Sequence, residues 1–186
     1  LATLPPADQT VALGAIADQR LTTTEADVLA LLVSATEAQK AIIIRTLGFI
    51  GSDQSYAPLY ALYLADNSDR TVSDALARLK APSADKTLLQ AARGTGPIEE
   101  RVSALRLLVL RNTNGVTPLI NQLAHPGHDP AIRQAAFKAM EIVGDTKSVD
   151  QLLAIVLATD SLKRPAQGSL KKLSFSIAVP DYLWTN

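Results

Sequence analysis

The chain of 186 residues contains no cysteine, one methionine, one tryptophan and two histidines. The missing cysteines exclude disulfides, thiolate nucleophiles and cysteine metal sites, although they do not decide the compartment. Aromatic residues make up only 4% of the chain against 47% hydrophobic residues, so the core consists mainly of Ala, Leu, Ile and Val. No apolar run is long enough to cross a bilayer, and we therefore expect no membrane span.

An excess of either charge is also missing, since 18 basic residues balance 18 acidic ones. A nucleic-acid-binding protein usually has a basic face because neutralising phosphates supplies most of its affinity. We therefore expect no nucleic-acid partner. The last stretch of the chain is locally basic at Lys163, Arg164, Lys171 and Lys172, and a solvated helix face explains this run most simply.

Residues 129–145 carry the clearest helical pattern in the chain. Apolar residues at i, i+4, i+8 and i+11 share one helix face: Ile132, Ala136, Met140 and Val143. Asp129 can cap this helix, Pro130 suits its first position, and Gly144 is expected to end it in a left-handed conformation. A second apolar set at 149–157 predicts another helix after a tight turn.

The same pattern occurs six times along the chain when Met140 is taken as an anchor position. The anchors are Ile16, Leu47, Leu79, Leu108, Met140 and Leu173, separated by 31, 32, 29, 32 and 33 residues. Large apolar residues stand three positions before them: Leu13, Ile44, Leu76, Leu105, Phe137 and Leu170. Small or β-branched residues, with one serine, stand four positions before: Ala12, Ile43, Ala75, Ala104, Ala136 and Ser169. The spacing predicts five helix pairs, called repeats 1 to 5 here, and a final half repeat, with the second helix of repeat 3 the weakest.

The sequence of residues 129–145 resembles the HEAT repeat and the bacterial HEAT-like class grouped with phycobilisome-lyase repeats. Residues 37–53 are similar, with Lys40 at the place where the pattern has arginine. The resemblance implies an all-α fold, a right-handed α-α superhelix of the HEAT/ARM solenoid type, over residues 1–173. It implies no particular activity, because such arrays serve many unrelated partners.

The two ends of the chain carry separate expectations. Residues 174–186 are rich in apolar side chains, and we expect them either to cap the last helix or to begin a following segment. The chain begins at Leu1 without an initiator methionine, as a processed or excised piece of a larger bacterial protein would. A removed signal peptide would place it in the periplasm or outside the cell.

Residue types used in catalysis and metal binding are present but do not form a recognisable site. His125, His128 and Asp129 lie close together, yet a Pro-Gly turn separates the histidines and Asp129 is a helix cap. There is neither a Gly-x-Ser-x-Gly motif nor a phosphate-binding glycine loop. We predict no catalytic residue, no metal and no cofactor.

Three tyrosines are the best candidates for binding: Tyr56, Tyr60 and Tyr63, which share one helix face at i, i+4 and i+7. Their equivalents in repeat 5 are core positions: Val149, Leu153 and Val156. Burial with the hydroxyls reaching an edge is therefore the favoured interpretation, and binding is the alternative.

Three arginines near the junctions between repeats are expected to pair with acids of the connecting loops. The arginines are Arg45, Arg101 and Arg133, and the acids considered are Asp53 and Asp145. Such pairs would form a structural ladder along the array.

Non-catalytic binding or scaffolding is the function that the repeats favour, with another protein or a neighbouring domain as partner. An accessory module of a secreted carbohydrate-active enzyme is the alternative, because similar bacterial arrays occur beside sugar-active domains. A HEAT-like bilin lyase or DNA glycosylase is less favoured, since the chain is neutral and lacks a supporting motif.

Overall fold

Eleven α-helices make up the part of the chain that the structure, a computed structural model, describes, which is residues 1–176. The five pairs and the final helix are α1 (Pro6–Gln19) and α2 (Glu25–Leu31), α3 (Glu37–Ile50) and α4 (Asp53–Ala65), α5 (Arg70–Arg78) and α6 (Pro82–Arg93), α7 (Ile98–Leu110) and α8 (Val116–Leu123), α9 (Pro130–Val143) and α10 (Thr146–Leu157), and α11 (Lys163–Ser176). A short 3-10 helix, Thr22–Thr24, precedes α2, and these residues contain no β-strand. The predicted all-α fold with five pairs and a half repeat is confirmed.

The six anchor residues lie in the core, none of them more than 7% exposed. The large residues three positions before the anchors are buried as well. Of the residues four positions before, only Ala12 is partly exposed. The register read from the sequence therefore identifies the residues that join one helix to the next.

The chain divides into two compact parts, Leu1–Leu88 and Leu89–Asn186. Within the first part α1 packs against α3, and α3 packs against α5. Within the second part α7 packs against α9, and both α9 and α10 pack against α11. In each part the first helix of a repeat contacts the first helix of the following repeat, which is how helix pairs stack in a solenoid.

Side-chain caps define where several helices begin. Thr36 with Gln39 and Asp145 with Ser148 form capping boxes at the starts of α3 and α10. Asp129 accepts a hydrogen bond of 2.8 Å from the Ala131 backbone N–H, which confirms its predicted role. Each such cap stabilises its helix by about 1 kcal/mol.

Gly144 does not end α9 in a left-handed conformation, so that prediction is wrong. Its φ is −67° and its ψ is 157°, which is extended backbone. A Cβ atom there would overlap the Met140 carbonyl oxygen and lie 3.1 Å from the Leu173 methyls. Gly51 is also extended, and a Cβ atom on it would lie 2.5 Å from Leu79 Cδ1. At both positions glycine lets the next anchor residue approach the helix end.

The second helix of repeat 3 is not the weakest, contrary to the sequence prediction. It spans 12 residues in α6, whereas α2 of repeat 1 spans 7. Pro82 opens α6 at a position where a missing N–H costs little, and the helix buries Ala84, Leu88 and Ala92. The buried face of α6 thus consists largely of small side chains. Such a face is harder to recognise in a sequence than one made of bulky apolar residues.

The last described helix is the predicted half repeat, and none of the described helices could span a membrane. The predicted half repeat is α11, whereas the rest of the predicted tail, 177–186, lies outside the described residues. Within residues 1–176 no helix combines the length and apolar character needed to cross a bilayer.

Candidate functional site

The three tyrosines proposed for binding lie along α4 and are mostly buried. Tyr63 is 1% exposed, Tyr56 is 7% exposed, and Tyr60 is partly exposed. The rings of Tyr56 and Tyr60 stack with centroids 5.4 Å apart and an interplanar angle of 14°. The three tyrosines therefore contribute mainly to packing in repeat 2, and Tyr60 is the one of the three that offers the most surface to a partner.

Glu25, which the sequence analysis did not single out, holds the start of α4 in place. Its carboxylate accepts hydrogen bonds from the backbone N–H of Ser52 at 2.7 Å and of Ser55 at 3.2 Å. It also accepts from both serine hydroxyls, at 2.8 Å for Ser52 and 2.6 Å for Ser55. Burial opposes ionisation, but the hydrogen bonds from Ser55 and Ser52 outweigh it and lower the pKa of Glu25. The only sequence signal is an acid 27 and 30 residues before two serines.

Arg133 does not pair with Asp145 or Asp53, the acids that the sequence suggested. Its guanidinium binds both carboxylate oxygens of Asp160, at 3.2 Å and 2.5 Å, and Nε donates to the Ala124 carbonyl oxygen at 3.1 Å. Asp145 instead caps α10, and Asp53 accepts from Ser83 at the start of α6. Asp145 and Asp53 are already engaged at helix starts, so neither is available to Arg133.

The other two arginines of the expected ladder behave differently from Arg133. Arg101 donates from Nε to the Ala92 carbonyl oxygen at 3.3 Å, with the same nine-residue spacing as Arg133 to Ala124. Arg45 is exposed on α3. The repeated contact is thus between an arginine and the end of the preceding helix, and it serves packing.

Glu141 joins α9 to α11. Its carboxylate accepts from the Ser169 hydroxyl at 2.7 Å, from Lys172 at 3.0 Å and from Lys138 at 3.2 Å. Burial opposes its ionisation, yet the bonds from Ser169 and the two lysines lower the pKa of Glu141. Like Glu25, it is a negative charge stabilised by donors from the next repeat, here Ser169 and Lys172, and Lys138 of its own helix adds a third.

The histidine loop forms a turn between α8 and α9. Gly127 has φ +106°, a left-handed value that only glycine adopts without strain. The backbones of Pro126 and His128, on either side of it, form an isolated β-bridge. Across residues 1–176 there is no group of three His, Asp or Glu side chains arranged to hold a metal ion. The loop geometry accounts for the residues that had suggested a metal site.

Exposed aliphatic side chains recur at one position of the repeat in the second compact part. Leu110 on α7 is 50% exposed and Ile142 on α9 is 71% exposed. Each lies two residues after an anchor, Leu108 or Met140, and α7 packs against α9. Leu110 and Ile142, called the α7–α9 stripe here, therefore occupy matching places on adjacent helices.

An apolar cavity of about 360 Å³ opens in the first compact part. The residues that line it come from the end of repeat 1 and from repeat 2: Leu29, Leu32, Val33, Lys40, Pro58 and Leu62. Pro58 is the sixth residue of α4 and lies inside the helix. No sequence pattern signals this cavity, because its six lining residues come from three separate segments.

Comparison with known proteins identifies the repeat. Residues 85–171 match the family model described as HEAT repeats. The chain matches no curated protein and no solved structure. The match confirms the resemblance of residues 129–145 to HEAT repeats.

Proposed function

We propose that this chain, whose residues 85–171 are HEAT repeats, is a non-catalytic scaffold that binds another protein or a neighbouring domain of its own chain. HEAT repeats suggest a role in protein interaction. Stacked repeats repeat their surface as well as their core, so one side-chain type can line several neighbouring helices. Such a surface suits an extended partner.

The α7–α9 stripe is the observation that carries this proposal. Single exposed aliphatic residues are ordinary on protein surfaces and need no explanation. Here, however, Leu110 and Ile142 occupy the same repeat position on two helices that pack together, and both are at least half exposed. Aliphatic residues that recur in this way form the kind of apolar patch that a protein partner covers.

The carboxylates with shifted pKa values support a structural role for these groups. A general acid working near neutral pH needs a raised pKa, as burial beside few donors produces. Glu25, Glu141, Asp145 and Asp160 all have lowered pKa values instead, and each binds a serine, an arginine or a helix start. Near neutral pH they serve as charged acceptors that hold helix starts and neighbouring repeats in place.

Site-specific photo-crosslinking in the source cells tests the proposal. A photoreactive residue replaces Ile142, and a second chain carries it at Lys147, an exposed residue of α10. We expect discrete protein adducts at position 142, and several-fold fewer when Leu110→Asp is added. Adducts of equal yield at 142 and 147, or none at 142, would contradict a partner bound to the stripe.

A further inference from the structure

We infer that the apolar cavity of repeats 1 and 2 is a docking site for a partner segment with a large apolar side chain beside a carboxylate. This inference deepens the proposed function and rests on it. It concerns the first compact part, whereas the stripe at Leu110 and Ile142 belongs to the second. The two surfaces can therefore be tested separately.

Repeat packing does not require apolar side chains at three of the positions that line this cavity. Counted from the caps Thr36 and Asp129, or from the anchors, the equivalents of three lining residues in repeats 4 and 5 are polar. Leu29, Leu32 and Pro58 correspond to Gln122, His125 and Gln151. In repeat 5 the Gln151 side chain donates to the Asn121 carbonyl oxygen at 2.7 Å. Three of the six lining positions are thus polar at the junction of repeats 4 and 5, whereas Leu62 corresponds to the buried Ile155.

One of the residues that line the cavity is charged. Lys40 is the one charged residue among the six that line it, and it stands at the position of Arg133 in repeat 5. Arg133 is 5% exposed and bound on both sides by Asp160 and Ala124. Lys40 instead pairs with Glu37, at 2.7 Å, and the Glu37 side chain is 90% exposed. A pair this exposed to solvent is weak, so a carboxylate held in the cavity can compete for the ammonium group.

The cavity is small and has an exposed apolar rim. At about 360 Å³ the cavity lies near the lower end of the range for ligand sites, about 300–1,000 Å³, which suits one or two side chains. Val33 stands at its edge and is 93% exposed. A partner that inserts an apolar side chain into the cavity would also cover Val33. The cavity lining and the Val33 side chain would then both be removed from water.

Selection of random linear peptides on the full chain tests the inference. We expect enriched peptides to share an aliphatic or aromatic residue next to Asp or Glu. A synthetic consensus peptide should bind Val33→Asp and Lys40→Met about ten-fold more weakly than the unchanged chain, because the first adds a repelling charge and the second removes the attracting one. Val11→Asp and Lys86→Met are the matched controls, since both residues lie elsewhere in the same part, outside the cavity lining.

Each other outcome would overturn the inference. Peptides that bind all four variants equally would place the docking site elsewhere and leave the scaffold proposal standing. Binding of decanoate with the same dependence on Val33 and Lys40, without peptide enrichment, would identify a small amphipathic carboxylate as the occupant. A dimer in sedimentation that Val33→Asp dissociates would identify a second copy of the chain. No enrichment at all would refute the cavity as a peptide site, and the crosslinking at Ile142 would still decide the scaffold proposal.

Discussion

Arg133 shows how a single side chain can connect three repeats within one half of the molecule. It lies on α9, donates to the end of α8 and binds Asp160, the residue that accepts from the Leu162 backbone N–H before α11. The side chains of Arg133 and Asp160 are 7% and 9% exposed. A guanidinium suits this place because its planar donors meet both carboxylate oxygens at once, which an ammonium cannot do.

Removing one partner of this ion pair should be costly. We expect Arg133→Ala to lower the free energy of unfolding by about 3–5 kcal/mol, because Asp160 would remain buried without its cation. Arg133→Lys should recover only part of that loss. Urea unfolding followed by far-UV circular dichroism measures both variants.

The exposed pair of Lys40 and Glu37 is the control for this prediction. Glu37→Ala should change the free energy of unfolding by at most about 1 kcal/mol, since solvent screens the pair. The double variant Arg133→Met with Asp160→Leu should regain stability relative to Arg133→Ala, because no charge is left unpaired. An Arg133→Ala variant as stable as Glu37→Ala would refute the structural role assigned to the Arg133–Asp160 pair.

At the scale of the helices, close approach matters as much as apolar pattern. Gly48 of α3 faces α5 so closely that a Cβ atom would lie 2.8 Å from Ala75 Cα and 3.1 Å from its Cβ. A Cβ atom on Gly14 of α1, by comparison, would have no neighbouring atom within 4 Å. The two glycines thus occupy helix interiors for different reasons.

Alanine at these two glycines should have opposite effects. We expect Gly48→Ala to destabilise the chain by about 1–3 kcal/mol, because the backbone of α5 must move away. Gly14→Ala should stabilise it by about 0.5–1 kcal/mol, since alanine loses less backbone entropy in a helix. Thermal unfolding of both variants under one condition measures the difference. Equal shifts in the same direction would show that α3 and α5 do not approach at Gly48 as described.

The sequence predicted the helices and their core better than the contacts at their ends. Leu47 and Met140 were identified because a buried helix face imposes a period that any sequence must show. The role of Gly144 was not identified, because a glycine in the sequence is compatible with either a left-handed turn or a close approach of another helix. The sequence alone does not distinguish the two. The partner of Arg133 was missed since Asp145 and Asp160 are equally plausible in sequence, and only the path of α10 brings Asp160 to it.

The site was harder to predict than the fold. The register comparison indicated burial for Tyr56, Tyr60 and Tyr63, and the structure buries Tyr56 and Tyr63 but leaves Tyr60 partly exposed. A cavity, in contrast, depends on the space that neighbouring segments leave unfilled. The periodic spacing of apolar residues in the sequence does not indicate such a space. Leu32, Lys40 and Pro58 are each ordinary residues within their own segments. Nothing in the sequence therefore predicts that they line one cavity.

Across the whole molecule, the charged links between repeats make stability depend on pH. Glu25 lies in the first compact part, whereas Glu141, Asp145 and Asp160 lie in the second, and all four have lowered pKa values. A carboxyl group with a lowered folded-state pKa stabilises the fold above its unfolded pKa, which is about 4.3 for Glu and 3.9 for Asp. That stability is lost as the pH falls through the folded pKa. Acid should therefore loosen both parts of the chain.

The final prediction separates these links from general acid unfolding. We expect the double variant Glu25→Gln with Glu141→Gln to be less stable near neutral pH by about 1–3 kcal/mol per site, because buried donors lose a charged acceptor. Between about pH 5 and about pH 3 it should lose less stability than the unchanged chain, since two of the groups that take up protons on unfolding are gone. Urea midpoints measured by circular dichroism across this range should converge at the acid end. Glu99→Gln, at an exposed position in the first turn of α7, is the control and should give a curve parallel to that of the unchanged chain. If the double variant also runs parallel, the acid sensitivity arises elsewhere, and Glu25 and Glu141 do not act as charged links.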